Sequence, residues 1–193
     1  MYSIVELREP PDSQSSEANA INNSGQVVGN ASLSPFPHNR AFLWSEGVIQ
    51  DLGELLFGTL ETELERPINN AYAINSSGQV VGASGPHAFL WDASTGVQDL
   101  GTLPDHQRSE AGAINNSGQV VGTSSTPGPL HAFVWSESTG MQDLNDLIPP
   151  DSGWALLRAH DNNESGQILC EGIHTTGPDN AKERRLCVLT LIS

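Results

Sequence analysis

The chain has 193 residues and sets 8 Lys and Arg against 23 Asp and Glu, a formal net charge of -15. A surplus of that size repels phosphate backbones and anionic leaflets instead of releasing counterions, so neither nucleic acid nor membrane is expected as a partner. The length suits one domain that buries roughly 70% of its unfolded surface, no apolar run nears the roughly 20 residues of a spanning helix, and Cys170 and Cys187 allow one disulfide at most and no four-cysteine zinc site.

From the N-terminus, residues 2–7 (YSIVEL) have strand character, and Glu6, Arg8 and Glu9 stand where a secretion signal would be apolar, so any leader is expected to be absent or already removed. A repeat then begins. AINNSGQVVG at 20–29 returns as AINSSGQVVG at 73–82, as AINNSGQVVG at 113–122 and, altered, as DNNESGQILC at 161–170. A second motif comes after each: RAFLWSEGVIQDLG from Arg40, HAFLWDASTGVQDLG from His87, HAFVWSESTGMQDLN from His131 and RLCVLTLIS from Arg185.

Within a unit the pattern is one of short β-rich runs with no helical period. The second unit shows four, at 70–74, 79–83, 87–91 and 96–100, separated by Ser-Gly, Ser-Gly-Pro and Ser-Thr-Gly turns. Four strands in about 45 residues is the size of a propeller blade. The expected fold is therefore all-β: a single domain over 1–193, a four-bladed β-propeller with blades at 16–53, 69–101, 109–145 and 154–193. Residues 2–7 are expected to pair beside 186–191, closing the ring and removing an open sheet edge. An eight-bladed ring from two chains, or an open array, is the alternative; a monomer is expected, with a dimer as the second assembly.

The His-Ala-Phe tripeptides at His87 and His131, with the Gly-Gln-Val-Val-Gly segment before them and Gln-Asp-Leu after, resemble the HAF repeat family, described as extracellular repeat proteins of bacteria. Arg40-Ala41-Phe42 differs at one position and Arg185-Leu186-Cys187 at all three. The resemblance implies a repeat β-architecture and an extracellular or periplasmic location, with the cytoplasm as the alternative that the lack of a signal-like segment leaves open. It implies no catalytic activity.

The repeated residues themselves have structural explanations. The Val-Val pairs, Phe42, Phe89, Phe133, Trp44, Trp91 and Trp135 suit a core, Asn22, Asn75, Asn115 and Asn163 suit the turns they begin, and Asp51, Asp99 and Asp143 hold one register in the last strand. Function is sought where the copies differ, in the second-to-third and unit-to-unit connections, which alternation of strand direction brings to one rim. All six histidines map to that rim or beside it, with His160 in an inner strand.

His160 aligns with Asn19, Tyr72 and Gly112, so these positions are expected around an axial pocket. Trp154 is read as a sugar-stacking platform or a hydrophobic staple, and Arg66 and His106 as rim contacts. The expected function is ligand binding, to a carbohydrate, another small molecule or a protein. The alternative is a hydrolase, with a divalent metal as an optional cofactor, His160 as general base or ligand, and Arg158 or Arg108 steadying an anion. For metal, Glu61, Glu63 and Glu65 form one acidic loop, and the segment from Asp161 to Gly166 resembles the start of a calcium loop that lacks its twelfth-position Glu. The motifs HExxH, GxSxG, GxxxxGK[ST] and GxGxxG are absent.

Overall fold

Two adjacent valines cannot face the same way in a strand, because successive side chains point to opposite sides. The repeated Val-Val pair therefore feeds two different cores, and a strand carrying it must be buried on both faces. This is what the computed structural model shows; it describes residues 1–33, 38–53, 69–176 and 181–191.

Sheet I holds β1 (Ser13–Ile21), β2 (Val27–Leu33), β3 (His38–Ser45) and β4 (Val48–Asp51). Sheet II holds β5 (Asn69–Ile74), β6 (Val80–Ser84), β7 (His87–Asp92) and β8 (Gly96–Gly101). Sheet III holds β9 (Arg108–Ile114), β10 (Val120–Ser125), β11 (Leu130–Ser136) and β12 (Gly140–Asp143), succeeded by a 3-10 turn, η1 (Leu144–Leu147). Sheet IV has three strands, β13 (Trp154–Asn162), β14 (Ile168–Thr176) and β15 (Ala181–Leu189). Each sheet is an antiparallel meander whose strands pair in sequence order.

The sheets pack face to face in series. Val28 of sheet I meets Val80 and Phe89 of sheet II; Val81 and Leu90 of sheet II meet Val120 and Phe133 of sheet III; Val121 and Val134 of sheet III meet Ile168 and Cys170 of sheet IV. Val28, Val80, Val81, Val120 and Val121 are fully buried, each contributing about 1.5–3 kcal/mol relative to exposure. Among the described residues no core joins sheet IV to sheet I. Leu169, Leu186 and Val188 face outward from sheet IV at 38%, 68% and 58% exposure, and Ile21 of sheet I is 69% exposed.

The strands expected in the second unit form within a residue or two of their expected ends. The expected closing strand does not. Residues 2–7 make no strand, Tyr2 and Ile4 are fully exposed, and among the described residues β15 keeps an open edge. The physical reason is reach: residues 2–7 lead into sheet I, and among the described residues no core brings sheet I against sheet IV, so the segment has no edge beside it to pair with.

Candidate functional site

The first strand of every sheet contains an irregularity at one place. Register shifts fall between Ala18 and Ala20, Ala71 and Ala73, Ala111 and Ala113, and Ala159 and Asp161. The extra residues are Asn19, Tyr72, Gly112 and His160, the four positions aligned from sequence. A bulge of this kind turns its extra side chain out of the regular alternation.

Glycine on the neighbouring strand permits it. A Cβ on Gly82 would stand 1.8 Å from the Asn70 carbonyl oxygen, and one on Gly122 would stand 2.0 Å from that of Glu110. Sheet IV has Cys170 at this register, and the close approach moves to Gly172, where a Cβ would lie 2.6 Å from the Ala155 oxygen. A second register shift, between Leu156 and Arg158, accompanies that move.

Three of the bulges share a cavity of about 150 Å³ lined by Tyr72 of sheet II, Glu110, Gly112 and Thr123 of sheet III, and Arg158 and His160 of sheet IV. It has room for a few waters or one small polar group. The Tyr72 hydroxyl accepts a hydrogen bond from Asn70 Nδ2 at 3.3 Å. Burial, and then the nearby Glu110 charge, push its pKa above the usual phenol value despite that bond. His160 Nε2 lies 3.4 Å from Glu171 Oε2, and Arg184 meets the other Glu171 oxygen at 2.8 Å. The pocket thus combines a neutral phenol, a carboxylate, a guanidinium and an imidazole backed by a second carboxylate.

Asn19, expected in the same ring, is tied elsewhere: its Nδ2 donates to the Ala71 carbonyl and to Asn30 Oδ1, both at 2.8 Å. Arg108 is exposed at the start of β9 and does not line the cavity. Trp154 packs on the core between sheets III and IV, with its ring 4.7 Å from that of His174. His106 lies on the variable rim, its Nδ1 3.0 Å from Ser124 Oγ and its ring edge-on to His131. Arg66, Glu61, Glu63 and Glu65 fall outside the described residues.

One recurring constellation is invisible when its members are taken singly in the sequence. Arg40 pairs with Asp51 at 3.2 Å, His87 with Asp99 at 2.9 Å, and His131 with Asp143. Each links the third and fourth strands of one sheet, and the signal is present as a basic residue and an acid recurring together in three units. Burial raises the Asp143 carboxyl, but hydrogen bonds from His131 and from the Asn145 backbone and side chain outweigh it, leaving the pKa below the ordinary value.

At the opposite rim the Asn-x-Ser-Gly turns make a ladder. Each asparagine Oδ1 accepts two backbone N–H groups of its own turn, as Asn115 does from Ser117 and Gln119. Its Nδ2 donates to the next repeat's asparagine carbonyl: Asn22 to Asn75, Asn75 to Asn115, Asn115 to Asn163, at 3.0–3.1 Å. The glycine closing each turn needs a positive φ, 77° at Gly118. Asn163 Oδ1 accepts the same pair of backbone donors, so the segment read as a calcium-like start is the fourth of these turns. Residues from all four sheets, Asn22, Asn75, Asn116 and Glu164 among them, line an open depression of about 230 Å³ at this rim.

Among the described residues no group of three or more His, Cys, Asp and Glu side chains is placed to hold a metal ion, and no helix is long and apolar enough to cross a membrane. Cys170 and Cys187 face each other across β14 and β15 as free thiols. Burial, and secondarily the neighbouring Cys187, pushes the Cys170 thiol up to about 12. Compared with known proteins, the chain matches no family model and no curated protein.

Proposed function

We propose that the protein is a propeller-like repeat module that binds a small polar ligand, a carbohydrate or a polar group presented by another protein, at the inner-strand bulges. The observation that carries this reading is the shared cavity, in which Tyr72, Gly112 and His160, from three successive sheets, come together with Glu110 and Arg158. A phenol, a carboxylate and a guanidinium on rigid strands offer donors and acceptors to hydroxyl or carboxylate groups with little ordering cost. The depression lined by all four sheets supports the blade-like curl. The tripeptides at His87 and His131 support membership of the HAF repeat family and, with it, an extracellular or periplasmic location.

The test is a glycan and small-polar-metabolite array read with wild type, Tyr72→Phe, Glu110→Gln and Arg158→Ala. A ligand whose affinity falls at least about tenfold in two of the three variants supports the reading; a bound ligand indifferent to all three removes the pocket from it.

One contact favours a hydrolytic second reading. Glu171 backs the His160 imidazole at 3.4 Å, the arrangement by which a carboxylate orients a general base, and Arg158 stands in the same cavity. Turnover of ester, phosphate and glycoside substrates, with and without divalent cations, tests it, and activity surviving His160→Ala would end it. Arg108, exposed outside the cavity, has no part in this reading.

A further inference from the structure

Sheets I, II and III end in a fourth strand, whereas β15 of sheet IV has no partner on its far edge among the described residues. The seat for such a strand is otherwise built. Arg185 holds in β15 the register that Arg40, His87 and His131 hold in their sheets, opposite Gly172 as His87 is opposite Ser84. Those three meet an acid on the fourth strand; among the described residues Arg185 pairs only with Glu183 of its own strand. Beside this edge runs an apolar groove of about 610 Å³ between Val134, Leu144 and Ile148 on one side and Ile168, Leu189 and Leu191 on the other. The matching space between sheets II and III is filled by Trp135 and Met141. Sheet IV has Leu189 at the tryptophan register and no fourth strand.

Residues 2–7 fit that seat. Set against the fourth strand of sheet I, Ile4 falls on Ile49, Glu6 on Asp51 and Leu7 on Leu52. Leu52, Leu100 and Leu144, which hold the leucine position, are 3%, 6% and 2% exposed, and Glu6 would face Arg185. The segment leads into β1, as β8 leads into β9, so a strand seated on β15 brings its sheet I onto sheet IV.

The turn ladder is open at the same two ends. Asn163 Nδ2 donates only to Gln167, with no carbonyl of a further repeat, and the Asn22 carbonyl accepts only from Gly25 of its own turn, among the described residues. Outward-facing Leu169, Leu186 and Val188 occupy the registers of Val121, Ala132 and Val134, which are buried at the junction of sheets III and IV.

We infer that a second copy of this chain docks head to tail, its sheet I on sheet IV and its residues 2–7 added to β15 as the missing fourth strand. Strand addition supplies main-chain hydrogen bonds and Leu7 the apolar anchor. The contact joins unlike surfaces, so it closes into a ring or extends as a filament.

Sedimentation velocity of the full chain over a wide concentration range tests this. Wild type is expected to assemble beyond the monomer, while deletion of 2–7 and Leu7→Asp leave monomers with an unchanged unfolding midpoint. Glu6→Arg and Arg185→Glu are each expected to weaken assembly about tenfold, and mixing these two variants restores it, because each then offers the other its opposite charge. A wild type monomeric at every concentration, assembly that survives the deletion, or no recovery on mixing would overturn the inference. So would a monomer whose unfolding midpoint falls on deletion, since the segment would then serve its own chain.

Discussion

The turn ladder gives a quantitative expectation because its members are chemically identical and differ only in whether another turn stands next to them to receive a bond. Asn115→Ala removes the acceptor for Ser117 N and Gln119 N and the donor to the Asn163 carbonyl. The side chain is buried, 4% exposed, so water replaces little of that loss. At about 1 kcal/mol for each hydrogen bond, the expected loss is about 3 kcal/mol. Asn163→Ala removes the equivalent acceptor for two backbone N–H groups, but the residue is exposed and, among the described residues, donates to no further repeat, so the expected loss is about 1 kcal/mol. Asn115→Asp keeps the acceptor but sets a buried carboxylate oxygen against the Asn163 carbonyl in place of the donor, so it is expected to cost at least as much as the lost inter-sheet bond. Urea unfolding of dilute protein, compared at constant m value, reads the differences. Equal losses for Asn115→Ala and Asn163→Ala would refute the reasoning, since the inter-sheet bond would then contribute nothing.

Four further outcomes are expected. Gly122→Ala should cost at least about 3 kcal/mol or prevent folding, because its Cβ meets the Glu110 carbonyl and the Phe133 ring. Gly140→Ala, with φ of 67° and nothing within 4 Å, should cost only about 1 kcal/mol in the same urea unfolding measurement. Asp143 titrates in the folded state below its unfolded value of 3.8, so its contribution is complete above that pH and is lost as the pH falls through the lowered folded value. The stability gap between wild type and Asp143→Asn should therefore be present at about pH 5 and close below 3.8, read by denaturant titration at each pH. Cys170 is fully buried and its thiol is pushed up to about 12, so at about pH 8 it should resist a thiol-specific reagent until denaturant is added, and immediate reaction of both thiols would contradict that burial.

The repeat makes the strands legible, because each unit restates the same alternation and the same turn residues, and the Val-Val pairs announce burial on both faces. The alignment of Asn19, Tyr72, Gly112 and His160 is legible for the same reason, although not that all four are bulges; the clue is a glycine that a side chain could not replace. The pattern does not convey pairing across strands. His131 and Asp143 are separate residues in the string and become one contact only when register sets them side by side. The segment at 2–7 misleads in the opposite way, since strand character describes a preference and pairing requires a partner within reach. Arg108 and Trp154 stand out in the sequence for their chemistry alone, and packing assigns them to exposed surface and core.

Because each turn asparagine grips its neighbour's main chain, that bond asks nothing of the side chains on the receiving turn, whose Asn116 and Glu164 oxygens add a second tie by accepting the Ser76 and Asn116 backbone N–H groups. The fourth turn, with Glu164 where the others have Asn or Ser, is received as readily as the rest. A unit added to or taken from such a series would keep this asparagine-to-carbonyl bond whatever its neighbour's turn residues, since the acceptor is main chain.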